Sequence, residues 1–213
     1  MSEPLADEAV ELPLHGSEQV FSGLVWDVRR DTFELEGKPI VREYVDHPGA
    51  VAVLALDDAE RVFLIRQYRH PVRTRQWEIP AGLLDVHGED PLAAAQRELA
   101  EEGDLAASDW AVLADFSTSP GGSDEAIRIY LARGVRETSE AFARKDEEAH
   151  MQTRWVALDE CVDAVLARRV QNPSLTIGVL AAHAFRGRGW QGLGAADAAW
   201  PTRPTPRTEP APR

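Results

Sequence analysis

The residues best suited to chemistry in this chain stand close together, at Arg97, Glu98, Glu101 and Glu102. They fall in a segment with strong helical signals. Asp90 is a good N-cap, because its carboxylate can accept from free first-turn amides. Pro91 follows at the first helical position, where its missing N–H costs nothing. Leu92, Ala95 and Leu99 recur at helical spacing and give the helix one apolar stripe. Glu98, Glu101 and Glu102 then fall on one polar flank. Like charges three and four residues apart on a helix destabilise it by roughly 0.2–0.5 kcal/mol per pair. Arg97 can pair with Glu101, one turn on, which leaves Glu98 and Glu102 facing each other. A run of acids is commonly a solvated helix face. A hard divalent cation with oxygen ligands would also hold both carboxylates.

The order of residues around that flank decides between the two. Gly82, Glu89 and the run Arg97-Glu98-Leu99-Ala100-Glu101-Glu102 resemble the Nudix box, with seven residues between Glu89 and Arg97 and with Leu99 and Leu105 at the aliphatic positions. Two departures stand out: six residues rather than five separate Gly82 from Glu89, and Asp104 holds the late glycine position, just after Gly103. Of the non-glycine residues, Asp tolerates a left-handed helix end comparatively well.

The elements that must position these groups can be read outward from the box. Residues 1–19 read as polar and loose. Residues 21–28, 32–35 and 40–45 read as three strands of a small antiparallel sheet, with a turn at Glu36-Gly37-Lys38. Residues 50–56, a near-continuous apolar run, read as a central strand buried on both faces. Residues 61–68 return as a strand. The cluster Arg69, His70, Arg73 and Arg75 that follows is either a solvated turn or an anion-facing surface. Beyond the box, residues 110–116, 126–131 and 153–158 read as strands. Residues 117–125 form a turn-rich loop, and residues 136–151 are too polar for a core and read as a mobile loop. Helical periodicity covers 159–169. A last helix begins near Ser174, a candidate cap, and stops at Gly187. The organisation expected is therefore an N-terminal tail and small sheet over 1–47, a main domain over 48–187, and a disordered Gly/Ala/Pro-rich tail over 188–213.

Composition narrows the function. The chain has 213 residues, 44% of them hydrophobic, enough for one domain with a full core. A net charge of −13 and the lack of a basic stripe argue against a nucleic-acid partner. No apolar run approaches membrane-spanning length, and the acidic first residues do not read as a signal peptide. Cys161, the only cysteine, allows no intrachain disulfide and fits a reducing cytoplasm.

The Nudix resemblance covers roughly residues 26–185 and implies more. The fold would be an α/β/α sandwich with a mixed sheet, plus the N-terminal antiparallel extension. The activity would be hydrolysis of a nucleoside diphosphate linked to another moiety, dependent on Mg2+ or on Mn2+ in its place. By family position, Glu98 and Glu102 are the main metal ligands, with Glu101 close by and the main-chain carbonyl of Ala81 a further ligand. Arg97 orients the glutamates, and Glu89 holds an outer water or the loop.

Within the family the chain resembles the ADP-ribose pyrophosphatases. Pro120 stands fifteen residues after Leu105, a mark of that subfamily. Arg42-Glu43, Gln67-Tyr68-Arg69, Trp77-Glu78-Ile79-Pro80-Ala81-Gly82 and Glu147-Glu148 are also similar. The resemblance places Arg42, Glu43, Arg69, Glu78 and Pro120 about the substrate. It assigns the water to Glu148, with Glu147 the neighbouring alternative. Trp26 either stacks on the adenine or packs between sheets. The histidines at 47, 70, 87, 150 and 183 show no metal-ligand spacing. Family members are homodimers. The alternatives are a Nudix hydrolase for another nucleotide sugar or dinucleotide, and a sensor that binds ADP-ribose without cutting it.

Overall fold

The computed structural model describes residues 4–138 and 151–201. The chain divides into two compact units: residues up to His47 together with Ser119–Asp124, and the remainder from Pro48.

The first unit is an antiparallel sheet of β1 (Leu14–Ser22), β2 (Asp27–Leu35) and β3 (Lys38–Asp46), in that order. Its strands are not those expected. The first begins at Leu14, within the stretch read as loose. The span 21–28 straddles a turn, closed by Gly23 N–H donating to Trp26 O at 3.0 Å. Leu24, Val25 and Trp26 look like strand residues by type, yet all three are exposed in that turn. The second turn is as read: Glu36 and Gly37 both take positive φ, 50° and 74°, as a tight primed hairpin turn requires. The segment Ser119–Asp124 joins this unit through Val45, whose N–H donates to Gly122 O at 3.0 Å and whose carbonyl accepts from Asp124 N–H at 3.3 Å.

The second unit is layered. A five-stranded mixed sheet runs β11 (Gly194–Ala195), β8 (Leu105–Ser117), β9 (Ala126–Glu137), β4 (Ala50–Ala55), β7 (Ala81–Leu83). β4 and β9 are parallel, and the other pairs are antiparallel. A three-stranded sheet runs β10 (Gln152–Ala157), β5 (Arg61–Arg69), β6 (Thr74–Glu78). The helices are α1 (Pro91–Gly103), α2 (Leu158–Leu166) and α3 (Pro173–Arg186).

β4 shows why the sequence folds into layers. Every residue in it is buried. Its alternate side chains go to opposite faces. Val51, Val53 and Ala55 pack with Ala94, Ala95 and Leu99 of α1, whereas Ala52 and Leu54 pack with Cys161 and Val162 of α2 and Leu175 and Val179 of α3. A strand with helices over both faces must be apolar throughout, as 50–56 is.

Other departures are local. β8 and β9 run longer than read, and β9 carries Arg136 and Glu137 in register with Ala106 and Leu105. The cap of α3 is Asn172, which accepts from Leu175 N–H at 2.9 Å, while Ser174 is buried inside the helix. The tail expected to be disordered from 188 is ordered through Trp200. β11 pairs with β8, Arg133 lies 5.4 Å over the Trp190 ring, and Arg128 lies 4.9 Å over that of Trp200. Arg128, buried, also donates to Ala198 O at 2.6 Å and Ala199 O at 3.1 Å. Among the described residues, no helix is long and apolar enough to cross a membrane.

Candidate active site at the glutamate helix

α1 starts and ends as its sequence directs. Asp90 accepts from Leu92 N–H at 2.9 Å. The helix closes at Asp104, φ 53°, whose N–H returns to Ala100 O at 3.0 Å. Asp104 thus does what the family's glycine does at that position. Gly103 is small for a different reason: a Cβ there would lie 3.0 Å from the Phe63 ring. Ala94, Ala95 and Leu99 fix the helix on the sheet, and Glu102, read as part of a polar flank, is buried on the same side as they are.

Those acids reach towards β7. Glu102, buried on the helix, accepts from Ala81 N–H at 2.9 Å. Glu98 lies against Gly82: a Cβ at Gly82 would stand 2.0 Å from Glu98 Oε1 and 2.6 Å from Oε2. Glycine at 82 therefore leaves room for the approach of a carboxylate. Two carboxylates one helical turn apart converge on the same dipeptide, whose Ala81 carbonyl is a further hard oxygen donor.

Arg97 holds the remaining charge. Its Nε and Nη2 donate to the two Glu89 oxygens, each at 3.0 Å, while Nη1 donates to Glu98 at 2.6 Å and to Glu101 at 3.1 Å. The Arg97 guanidinium holds the Glu89 carboxyl below the usual carboxylate range. Reciprocally, Glu89 above all raises the Arg97 pKa, so this cation never gives up its proton. Among the described residues, no three His, Cys, Asp or Glu side chains converge closely enough to hold a metal ion as they stand. The donor set still fits a hard divalent cation, since Glu98 and Glu102 are both oxygen ligands aimed at Ala81–Gly82. Glu101 is the most exposed of the three, its side chain 40% exposed against 12% for Glu98.

The residues expected about the substrate divide by unit. In the second unit, Arg69 and Glu78 form an ion pair. In the first, Arg42 is exposed and donates to Val41 O at 2.8 Å, and Glu43 accepts from Arg30 Nε at 2.8 Å. Pro120 is exposed in the Ser119–Asp124 segment. Trp26 stacks on His47, ring centroids 4.3 Å apart and planes at 18°. His47 is buried against Trp26, and its main-chain N–H donates to Asp124 at 2.8 Å. No local signal could have found that pair, since 77 residues separate its members. Glu147 and Glu148 lie outside the described residues. Burial pushes the Cys161 thiol up to about 11, which leaves it inert packing.

The chain resembles known proteins over most of its length. A model of the NUDIX domain matches residues 46–175, more than half of the chain. An ADP-ribose pyrophosphatase from Mycobacterium tuberculosis is 45% identical over 89% of this chain and 91% of its own length. A methanol dehydrogenase activator from Bacillus methanolicus is 38% identical over 76% of this chain and 88% of its own. The crystal structure of an ADP compounds hydrolase shares the fold, with a TM-score of 0.70 at 20% identity, over 86% of this chain and 99% of that one. With its box glutamates gathered at Ala81–Gly82 and a domain match over most of its length, the chain belongs to the Nudix family.

Proposed function

We propose that this chain hydrolyses the diphosphate bond of ADP-ribose, giving AMP and ribose 5-phosphate, with Mg2+ as the cofactor and Mn2+ able to replace it. The observation that carries the reading is the convergence of Glu98 and Glu102 on Ala81–Gly82. The similarity to the mycobacterial ADP-ribose pyrophosphatase selects the substrate.

In this reading Glu98, Glu102 and the Ala81 carbonyl hold the metal, with Glu101 beside them. Bound there, the ion neutralises the two phosphates and lowers the pKa of a water. The chain's own residues do the rest. Arg97 keeps Glu98 and Glu101 oriented and limits their mutual repulsion. Arg69 presents a planar fork that suits a phosphate. Glu148, or Glu147 beside it, takes a proton from the attacking water as the general base. Water adds to one phosphorus, the bridging P–O bond breaks, and each half leaves as a monophosphate. Trp26 supplies a stacking face, Arg42 and Glu43 supply polar contacts, and Pro120 shapes the loop beside the sugar.

The working form is a homodimer. The first unit exposes the apolar side chains Phe21, Leu24, Val25 and Val41, with Leu24 at 91%, apolar surface that a covering partner would bury. A second copy is the partner the family resemblance names, and light scattering that finds only a 23.5 kDa species would refute it. No nucleic acid is needed, and the lone cysteine suits a cytoplasmic protein.

The deciding experiment compares kcat/KM for ADP-ribose, ADP-glucose, GDP-mannose and NAD at fixed magnesium. ADP-ribose should be cut fastest. A clear preference for another compound moves the chain to a different nucleotide sugar or dinucleotide, a reading that the intact metal-binding glutamates would still allow. Binding of ADP-ribose with no products would make it a sensor, against the intact Glu98, Glu101 and Glu102.

A further inference from the structure

Glu78 is the most deeply buried acid among the described residues, with 1% of its surface exposed. An isolated carboxylate in that position would be strongly destabilising. Its partner is Arg69, whose Nε and Nη2 donate to the two carboxylate oxygens at 2.9 and 2.7 Å; Gln67 Nε2 approaches at 3.4 Å. The Arg69 side chain is 42% exposed, so the pair joins an interior anion to a cation at the surface.

The strand register explains why these residues meet. In the β5–β6 ladder Ile65 stands opposite Glu78, Gln67 opposite Gln76 and Arg69 opposite Thr74. Ile65, Gln67 and Arg69 therefore share one face of β5, and Glu78 is on the same face of β6. Ile65 packs with Ala94, Ala95 and Leu99, so this is the face that α1 covers. Three residues after Glu78 comes Ala81, whose amide holds Glu102. One short segment thus fixes Arg69 at one end and a box carboxylate at the other.

We propose that Glu78 is a positioning residue: its buried carboxylate sets the plane of the Arg69 guanidinium so that Arg69 can meet the substrate's diphosphate. This replaces the expectation that Glu78 itself touches substrate, because its oxygens are inside the protein and bonded to Arg69. The proposal rests on the reading above in which Arg69 contacts phosphate. A guanidinium held in one plane presents its donors with fewer rotamers to lose, and bidentate pairing supplies that restraint.

The test uses the full chain and four proteins: wild type, Glu78→Gln, Arg69→Ala and the double variant. Gln keeps the size of Glu78 and one acceptor but loses the charge and one branch of the fork. Steady-state kinetics with ADP-ribose and magnesium is paired with calorimetric titration of ADP in the absence of metal, and circular dichroism checks folding. Arg69→Lys, which keeps the charge without the fork, replaces Arg69→Ala if the latter does not fold. Glu78→Gln should raise KM roughly five- to tenfold, with kcat nearly unchanged and ADP bound correspondingly more weakly, the signature of lost uniform binding. The double variant should be no worse than the Arg69 single variant, because the two act as one unit. Independent, multiplying effects on KM would overturn the proposal, as would a Glu78→Gln enzyme with wild-type KM beside an Arg69 variant that binds poorly. If the Arg69 variant itself binds ADP and ADP-ribose normally, the phosphate reading of Arg69 fails instead.

Discussion

The glutamate helix and the N-terminal sheet carry the two halves of the proposed chemistry, and they are built in opposite ways. At α1 the groups lie within one turn of each other in sequence. Across the fold, Glu98 and Glu102 also meet Gly82 and Ala81 of β7. In the first unit, Trp26, Arg42, Glu43 and Pro120 come from two turns and a strand, and three of them are engaged within the unit: Trp26 by His47, Arg42 by Val41, Glu43 by Arg30. On the helix, Arg97 pairs with Glu89, Glu98 and Glu101 at once. The sheet presents exposed side chains whose partners solvent or a ligand can replace. A reaction centre needs the first kind of construction, and a surface that selects among substrates can use the second.

The contrast breaks most visibly at the carboxylates. Glu98→Gln and Glu102→Gln should each fold and lose at least about a hundredfold in kcat/KM, since a metal site supplies several kcal/mol of charge stabilisation and each ~1.4 kcal/mol is tenfold. Near-wild-type turnover in both variants, with magnesium present, would remove the metal assignment.

Gly82→Ala separates the site from the fold. Its new Cβ meets the far end of the Glu98 side chain at 2.0 Å, and that end can rotate away. Activity should therefore fall by roughly tenfold or more, the cost of a displaced ligand, while the melting temperature moves little. A large loss of stability with full residual activity would reverse that assignment.

How much of this was legible in the sequence follows the same division. The helix was legible in full: cap, apolar stripe, charged flank and left-handed stop are all local signals, and they agree. β4 was legible because burial on both faces leaves one composition only. The N-terminal strands were misplaced because the turn residues Leu24, Val25 and Trp26 are apolar and exposed, against the usual composition of a turn. The segment from 188 reads as a disordered tail, yet Arg128 and Arg133 lie over its two tryptophans, a long-range match that composition does not encode. The Arg97–Glu89 pair, eight residues apart across a loop, needed the loop's shape to be seen.

On the sheet side the effects should be smaller and fall on binding. Trp26→Ala should raise KM for ADP-ribose with kcat nearly constant, by about 1–3 kcal/mol if a base stacks there. An unchanged KM, with the fold intact, would mean that Trp26 serves only to pack on His47. Acid is a milder probe of the helix side. The Glu89 pKa is lowered in the fold, so its contribution to stability is fully present above the ordinary glutamate value and is lost as pH falls through the lowered one. Unfolding monitored from pH 7 down to pH 3 should show this loss in wild type and less of it in Glu89→Gln.

The smallest expected effect tests whether the helix is held by its local signals or by its packing. Asp90 accepts from Leu92 N–H at 2.9 Å and from Ala93 N–H at 3.4 Å, and it sits eight residues before Glu98, over two turns from the carboxylates. Asp90→Ala removes the cap and exposes those amides, at a cost of about 1 kcal/mol. In a chain of this size that corresponds to a fall of roughly 2–4 °C in Tm. Ala94, Ala95 and Leu99, each fully buried, should keep the remaining turns in place. KM and kcat for ADP-ribose at saturating magnesium should therefore stay within about twofold of wild type, since the effect of a cap falls off within the first turn. Differential scanning calorimetry beside the kinetics decides it. If Tm falls as expected but turnover falls tenfold, the position of Glu98 and Glu102 depends on the start of the helix, and the site is less firmly set by core packing than its contacts with Ala81 and Gly82 imply.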